Sequence, residues 1–181
     1  GLLALVSLVR SREAARVDAT GTMVPLSQQD VALWDRARIE VGRAALDRAN
    51  ALAKPGPVQV LAAIHLTHAM RCETGRTDWR AILRLYDGLL QFRSNRVVAI
   101  NRAVAIGRAK SPCDGLAALE ELDSENLAGF LPFHAARADL LARAGRREEA
   151  CAEYDAALAL EPEAAEARFL SARRAAVQAP D

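Results

Sequence analysis

The sequence predicts an all-α protein of stacked helical hairpins, and three observations predict it. Ala and Leu supply most of the apolar residues, while aromatics make up only 4% of the chain, a balance that favours helix over strand. Apolar residues recur at helical rather than alternating spacing. A pattern of small and apolar residues also repeats at an offset of 35 residues, the mark of repeated helical pairs.

The bulk numbers bound the function. The 181 residues are 51% hydrophobic and 26% charged, enough to bury a core without disulfide staples. Twenty-four cations face twenty-three anions, a net charge of +1, so the basic excess of a nucleic-acid binder is missing. Cys72, Cys113 and Cys151 are odd in number and lack CxxC spacing, which points away from a disulfide framework and to a reducing compartment. The apolar run over residues 1–9 is too short to span a bilayer, and without a charged leader it does not read as a signal peptide. Gly1 stands where an initiator Met is usual, so the chain is expected to begin inside a helix, with a segment upstream of it.

Residues 2–15 read as a helix apolar on nearly all sides, a pattern normally buried. Asp18, Gly21 and Pro25 then punctuate the longest irregular connection, with Met23 and Val24 as a short extended piece. Ser27 and Asp30 form S-x-x-D, close to a capping box, and predict a helix over 31–53. Pro55-Gly56-Pro57 ends it, because proline disfavours helix in the residue before it. A domain boundary is expected there, with an N-terminal helical segment over 1–54 and a repeat region over 55–181.

The best repeat covers 131–163. Ala138 and Leu141 fill one helix, Gly145 sits at the turn, and Ala150, Tyr154 and Ala157 fill the next helix before Pro162. Gly is the residue that takes positive φ at such a turn without strain. A weaker copy lies 35 residues earlier. Ala103 and Ile106 stand for Ala138 and Leu141, and Gly115, Leu119 and Leu122 for Ala150, Tyr154 and Ala157. Ser111-Pro112-x-Asp114 supplies its helix start. A third copy is read over 58–92, with a longer inner loop at 72–77, and a capping helix over 163–177. Two helices of this spacing in about 34 residues make a TPR pattern. His134 departs from it where an early aromatic is usual, and Ala138 where the first Gly is. The expected fold is therefore TPR-like helical hairpins stacked as a short right-handed solenoid, preceded by two longer helices.

Few constellations carry chemistry. His65, His68 and Cys72 share a helix face at i, i+3 and i+7, a set from which zinc takes ligands. The plainer reading is two ring residues and a buried thiol, since structural zinc sites show four ligands at tighter spacing. His134 and Asp139 stand five residues apart on one helix and point to different sides, so no general base is read there. Phosphate-binding glycine loops do not occur. Trp34 and Trp79 read as core anchors. The arginines over 143–147 and 168–174 alternate with Ala and Glu and read as solvated helix faces, with contact to a phosphate or an acidic partner as the alternative. Hence no enzyme, cofactor or resident metal is expected.

The repeat carries the functional reading, because stacked hairpins leave a concave face for protein elements. Its groove positions are read as Val97, Ile100 and Val104, then Ala135 and Asp139. Asn101 and Arg102 interrupt an apolar helix, either bonding between hairpins or facing a partner. Bonding between hairpins is favoured, since buried polar groups are usually satisfied internally.

Several runs stand together in order. They are Ala15-Arg16-Val17-Asp18, Gly21, Gln29-Asp30 and Trp34-Asp35-Arg36, then Pro55-Gly56-Pro57, Thr77-Asp78-Trp79 and Leu85-Tyr86-Asp87. Asn101-Arg102-Ala103-Val104-Ala105 and the run from His134 to Leu141 follow. This series resembles the C-terminal TPR-like extension of extracytoplasmic-function-type (sigma-24-like) RNA polymerase sigma factors. The stretch Val9-Arg10-Ser11-Arg12-Glu13 departs from the resemblance, which leads one to expect a His-containing, doubly basic sequence there.

The resemblance implies a bacterial, cytoplasmic regulatory domain that modulates transcription initiation through protein contacts. The implied partners are the polymerase core, the protein's own N-terminal sigma regions, and a small YCII-like protein; direct nucleic-acid binding by this part and membrane contact are not expected. The residues taken as protein-binding are Asp35, Arg36, Val97, Ile100, Asn101, Arg102, Val104, Arg137 and Asp139. Two alternatives stand beside this reading: a free-standing TPR scaffold unrelated to transcription, and a small helical metalloprotein using His65, His68 and Cys72.

Overall fold

The computed structural model describes residues 1–92, 95–122 and 125–179. They form an all-α protein, with no β-strand among the described residues. The helices are α1 (Leu2–Arg10), α2 (Arg36–Ala51), α3 (Pro57–Ala69), α4 (Arg71–Thr74), α5 (Trp79–Phe92), α6 (Arg96–Ala109), α7 (Pro112–Glu120), α8 (Leu131–Arg143), α9 (Arg147–Leu158) and α10 (Ala164–Gln178). No helix among the described residues is long and apolar enough to cross a membrane.

The chain divides into two compact units: residues 1–18 with 24–95, and residues 19–23 with 96–181. This differs from the boundary expected at Pro55-Gly56-Pro57. Those residues do end a helix, and Pro57 opens α3. Yet α3 packs against both α1 and α2, so the first unit continues through α5. The reason is the largely apolar character of α3, whose Ala62 and Ala69 join the core of Ala4, Leu8, Trp34, Ile39 and Leu46.

The first unit differs from expectation in two further places. Helix α1 ends at Arg10 and gives way to a 3-10 turn at Glu13–Ala15. Its face of Ala4, Ser7 and Leu8 is buried, while Leu2, Leu3 and Val6 are exposed. The helix expected over 31–53 is broken. A 3-10 turn at Val31–Leu33 is capped by Asp30, whose carboxylate accepts from Ala32 N–H at 2.9 Å. Trp34 then sits in an extended conformation, and Asp35 caps α2 by accepting from Arg38 N–H at 3.0 Å. Two aspartates five residues apart each satisfy a helix start, and the kink between them turns the Trp34 ring inward, to 3% exposure. Arg12 and Arg71 lie over that ring at 5.9 and 5.6 Å, a cation–π arrangement.

In the second unit, α6 packs on α7, α8 on α9, and α9 on α10. The repeat positions read from sequence form its core. Ala138, Leu141, Ala150 and Ala157 are fully buried, and Ala103, Leu119 and Tyr154 nearly so. Gly145 takes φ +78° at the α8–α9 turn, and Ser111 caps α7 with Pro112 at its first position and Asp114 in its first turn. Helices α6 and α7 cross through glycines. A Cβ on Gly115 would stand 2.9 Å from Gly107 Cα, so neither position has room for a side chain without a shift. Residues 19–23 join this unit by way of α10: Met23 N–H donates to Ala165 C=O at 3.0 Å, and the Arg168 guanidinium donates to Gly21 C=O at 2.9 Å.

Candidate interaction face

Val97, Asn101, Val104 and Arg108 stand at i, i+4, i+7 and i+11 on α6, one stripe of a 3.6-residue helix. Val97 and Asn101 are exposed, and Val104 and Arg108 are half-buried. On α8, Ala135, Asp139 and Arg143 form the equivalent stripe at four-residue spacing. Asp139 joins three helices. Its Oδ2 accepts from Arg108 Nη2 of α6 at 3.1 Å, and its Oδ1 accepts from Arg173 Nη2 of α10 at 3.4 Å. Burial raises the pKa of the neighbouring Tyr154, and the Arg173 guanidinium offsets part of that rise. One carboxylate thus sits between two guanidiniums in a half-buried place, where ion pairs are screened less than at the open surface.

The other predicted residues fall elsewhere. Ile100 is 2% exposed and belongs to the core with Leu116, Phe133 and Leu140, so it lines no surface. The stripe advances by three or four residues from Val97, which selects Asn101 and not Ile100. Asn101 lies exposed on the open face, in place of the bond between hairpins that was favoured. Arg102 is half-buried on a different side of α6. Arg137 points into its own hairpin and donates to Glu153 Oε1 on α9 at 2.5 Å. Asp35 and Arg36 belong to the first unit, where Asp35 caps α2 and also binds the Arg38 side chain at 3.0 Å.

His65, His68 and Cys72 have separate partners. His65 Nδ1 lies 2.9 Å from Arg12 Nη2. His68 meets the Trp79 ring edge-on at 5.3 Å, and Cys72 Sγ faces Val31 C=O at 3.9 Å. Burial, with the Arg12 charge second, lowers His65 to about 4 and His68 to about 3. Among the described residues, no group of three His, Cys, Asp or Glu could hold a metal ion. His134 and Asp139 are likewise apart: His134 bridges Glu153 at 2.7 Å and Ala128 C=O at 2.8 Å.

The sequence reading placed Arg143 and Arg173 on solvated helix faces and did not bring them together with Arg108. Arg108, Arg143 and Arg173 come from three helices. The available signal was their helical register, since Arg108 is seven residues beyond Asn101 and Arg143 four beyond Asp139.

Residues 1–50 match a family of unknown function, DUF6596. Over 170 residues, 94% of its length, the chain is 41% identical to an uncharacterized protein of Rhizobium meliloti (strain 1021). The chain spans 40% of that relative's length. No solved structure matches.

Proposed function

We propose that this chain is the regulatory, protein-interacting part of a bacterial sigma factor of the extracytoplasmic-function type. It is read as a cytoplasmic, TPR-like extension that tunes transcription initiation by touching the polymerase core, the factor's own promoter-reading regions, or a small partner protein. The transcriptional part of the reading rests on the ordered motifs from Ala15 to Leu141.

The observation that carries the interaction part is the face of α6 and α8. Val97, Asn101 and Val104 offer apolar and amide surface, and Asp139 ties three helices behind it. A surface held in place before binding loses less conformational freedom on association.

The test is a pulldown of the full-length protein and of this chain from a bacterial lysate, probed for polymerase subunits. Retention of polymerase by the full-length protein, altered by removal of this part, supports the reading. A full-length gene with no DNA-binding region and no polymerase retention would leave the second reading, a free-standing helical scaffold, which the repeat positions 103–157 favour independently.

A further inference from the structure

His134 stands in the first turn of α8, and each of its ring nitrogens faces an oxygen. Nδ1 lies 2.7 Å from Glu153 Oε2 on α9, and Nε2 lies 2.8 Å from Ala128 C=O in the connection between α7 and α8. The His134 and Glu153 side chains are both largely buried. A backbone carbonyl only accepts. Glu153 accepts at its other oxygen as well, from Arg137 Nη1 at 2.5 Å.

A neutral imidazole has one N–H and one lone pair. Whichever nitrogen lacks the proton would set a lone pair against an oxygen lone pair at hydrogen-bond distance. With both nitrogens protonated, both contacts become hydrogen bonds, and the one to the carboxylate is charge-assisted. The positive end of the α8 dipole disfavours a cation there, and Arg137 competes for the same carboxylate, so Glu153 is the counter-charge. Helices α6 and α7 also pack on α8. Their nearest charged groups in sequence to the connection, Arg96 at the start of α6 and Glu120 and Glu121 at the end of α7, make no hydrogen bond or ion pair with His134. The remaining ring contact is apolar, edge-on to Phe133 at 5.5 Å.

The bond to Ala128 closes a short tip. A 3-10 turn at Glu125–Leu127 precedes it. Leu127 is buried in the core of the second unit and Phe130 packs against that core, while Ala128 and Gly129 between them are exposed. Phe130 N–H donates to Leu127 C=O at 2.9 Å, and Phe133 N–H donates to Phe130 C=O at 2.9 Å. Arg96 of α6 lies over the Phe130 ring at 4.0 Å, one residue before Val97. The tip therefore joins the α8–α9 hairpin to the place where the exposed stripe of α6 begins.

We propose that His134 is a proton-dependent latch: the doubly protonated ring ties Ala128 to Glu153 and holds the α7–α8 connection on the α8–α9 hairpin. Loss of the Nε2 proton to water leaves the charge-free ring on Glu153 through Nδ1–H and releases Ala128. The fold thus holds a proton at His134, where at His65 it refuses one. The latch is closed at lower pH and opens as pH rises. This inference stands on the hydrogen-bond geometry and does not rest on the regulatory reading above.

The test follows the intact chain by NMR, reading the ring nitrogens of His134 together with amide hydrogen exchange at Phe130 and Phe133. The pH is raised from about 5, the lower edge of the ordinary histidine range, until the ring loses a proton. His65 and His68, lowered to about 4 and about 3, stay neutral throughout. Both ring nitrogens are expected to carry protons at the start. Exchange at Phe130 and Phe133, corrected for its intrinsic pH dependence, is expected to quicken about fivefold as one proton leaves. The Lys110 amide, bonded within α6 to Ile106 C=O, is expected not to change. In His134→Gln the step at Phe130 and Phe133 should vanish. A ring singly protonated from the start, a titration without the step, a step that persists in His134→Gln, or an equal change at Lys110 would overturn the proposal.

Discussion

Arg12 donates through Nη2 to His65 Nδ1 at 2.9 Å, which makes that nitrogen the acceptor of a neutral ring with its proton on Nε2. Arginine remains a donor here even though burial, followed by the Arg16 charge, lowers its pKa to about 10. The pair is a cation bonded to a neutral base, and adding a proton to His65 breaks it.

Acid therefore weakens the first unit before the carboxylates titrate. His65 falls from 6.5 to about 4 and His68 to about 3 in the folded state. The unfolded chain takes protons that the folded chain refuses, so stability is lost as pH falls below 6.5 and rises with pH over that window. The loss approaches about 1.4 kcal/mol per histidine per pH unit. Denaturant midpoints between pH 7 and pH 5 are expected to fall accordingly; a flat profile would sink the assignment.

Arg12→Met separates the two causes of that shift. Burial is the larger and survives the substitution, while the Arg12 charge does not. The His65 pKa is expected to rise from about 4 but to stay below 6.5, as read from its ring-proton NMR shifts. A return to 6.5 would show that charge, not burial, dominates.

Glycines in helices divide by what stands beside them. A Cβ on Gly88 in α5 meets nothing within 4 Å, so Gly88→Ala is expected to stabilise by about 0.5–1 kcal/mol through reduced chain entropy. A Cβ on Gly115 meets Gly107 Cα at 2.9 Å and Ala103 O at 3.0 Å, both backbone atoms. Gly115→Ala is expected to destabilise by about 1–3 kcal/mol. Thermal melts of the two variants should move in opposite directions.

Glu153 links two side chains of α8 from its place on α9, with His134 at 2.7 Å and Arg137 at 2.5 Å. Its side chain is 14% exposed, and neutralising it to an amide leaves only one acceptor oxygen where His134 and Arg137 each use one. Glu153→Gln is expected to cost about 1–3 kcal/mol. A double-mutant cycle with Arg137→Gln should show coupling, and additive losses would mean that the pair contributes little.

The interaction face predicts a contrast within one helix. Val97 is 47% exposed, so Val97→Asp is expected to leave stability within about 0.5 kcal/mol while reducing partner retention in the pulldown. Ile100→Asp buries a charge in the core and is expected to unfold the second unit. Partner retention unchanged by Val97→Asp would remove this face from the proposed function.

Much of the second unit was legible in the sequence because local chemistry and packing agree there. The Ser111 cap, the Gly145 turn and the small residues at 103, 138, 150 and 157 each answer a local need and a core position at once. The first unit was harder to read. Ser27 and Asp30 signal a helix start, but Asp35 offers a second cap five residues on, and only burial of Trp34 decides which begins the long helix. The grouping of Arg108, Arg143 and Arg173 was hidden for a different reason. They lie on three helices, and alternation with Ala and Glu makes Arg143 and Arg173 look like ordinary solvated surface.

The strap of residues 19–23 bears on how this protein can be cut and recombined. It is counted with the second unit, although the chain on either side of it belongs to the first. Neither unit is thus one uninterrupted stretch of gene. A fragment starting at residue 96 strips Ala165 C=O and Arg168 of the partners that Met23 and Gly21 supply. An insertion or deletion over 16–24 is felt by both units. Transplanting the second unit into another protein therefore requires supplying the strap again, as an added peptide or through a rejoined chain order.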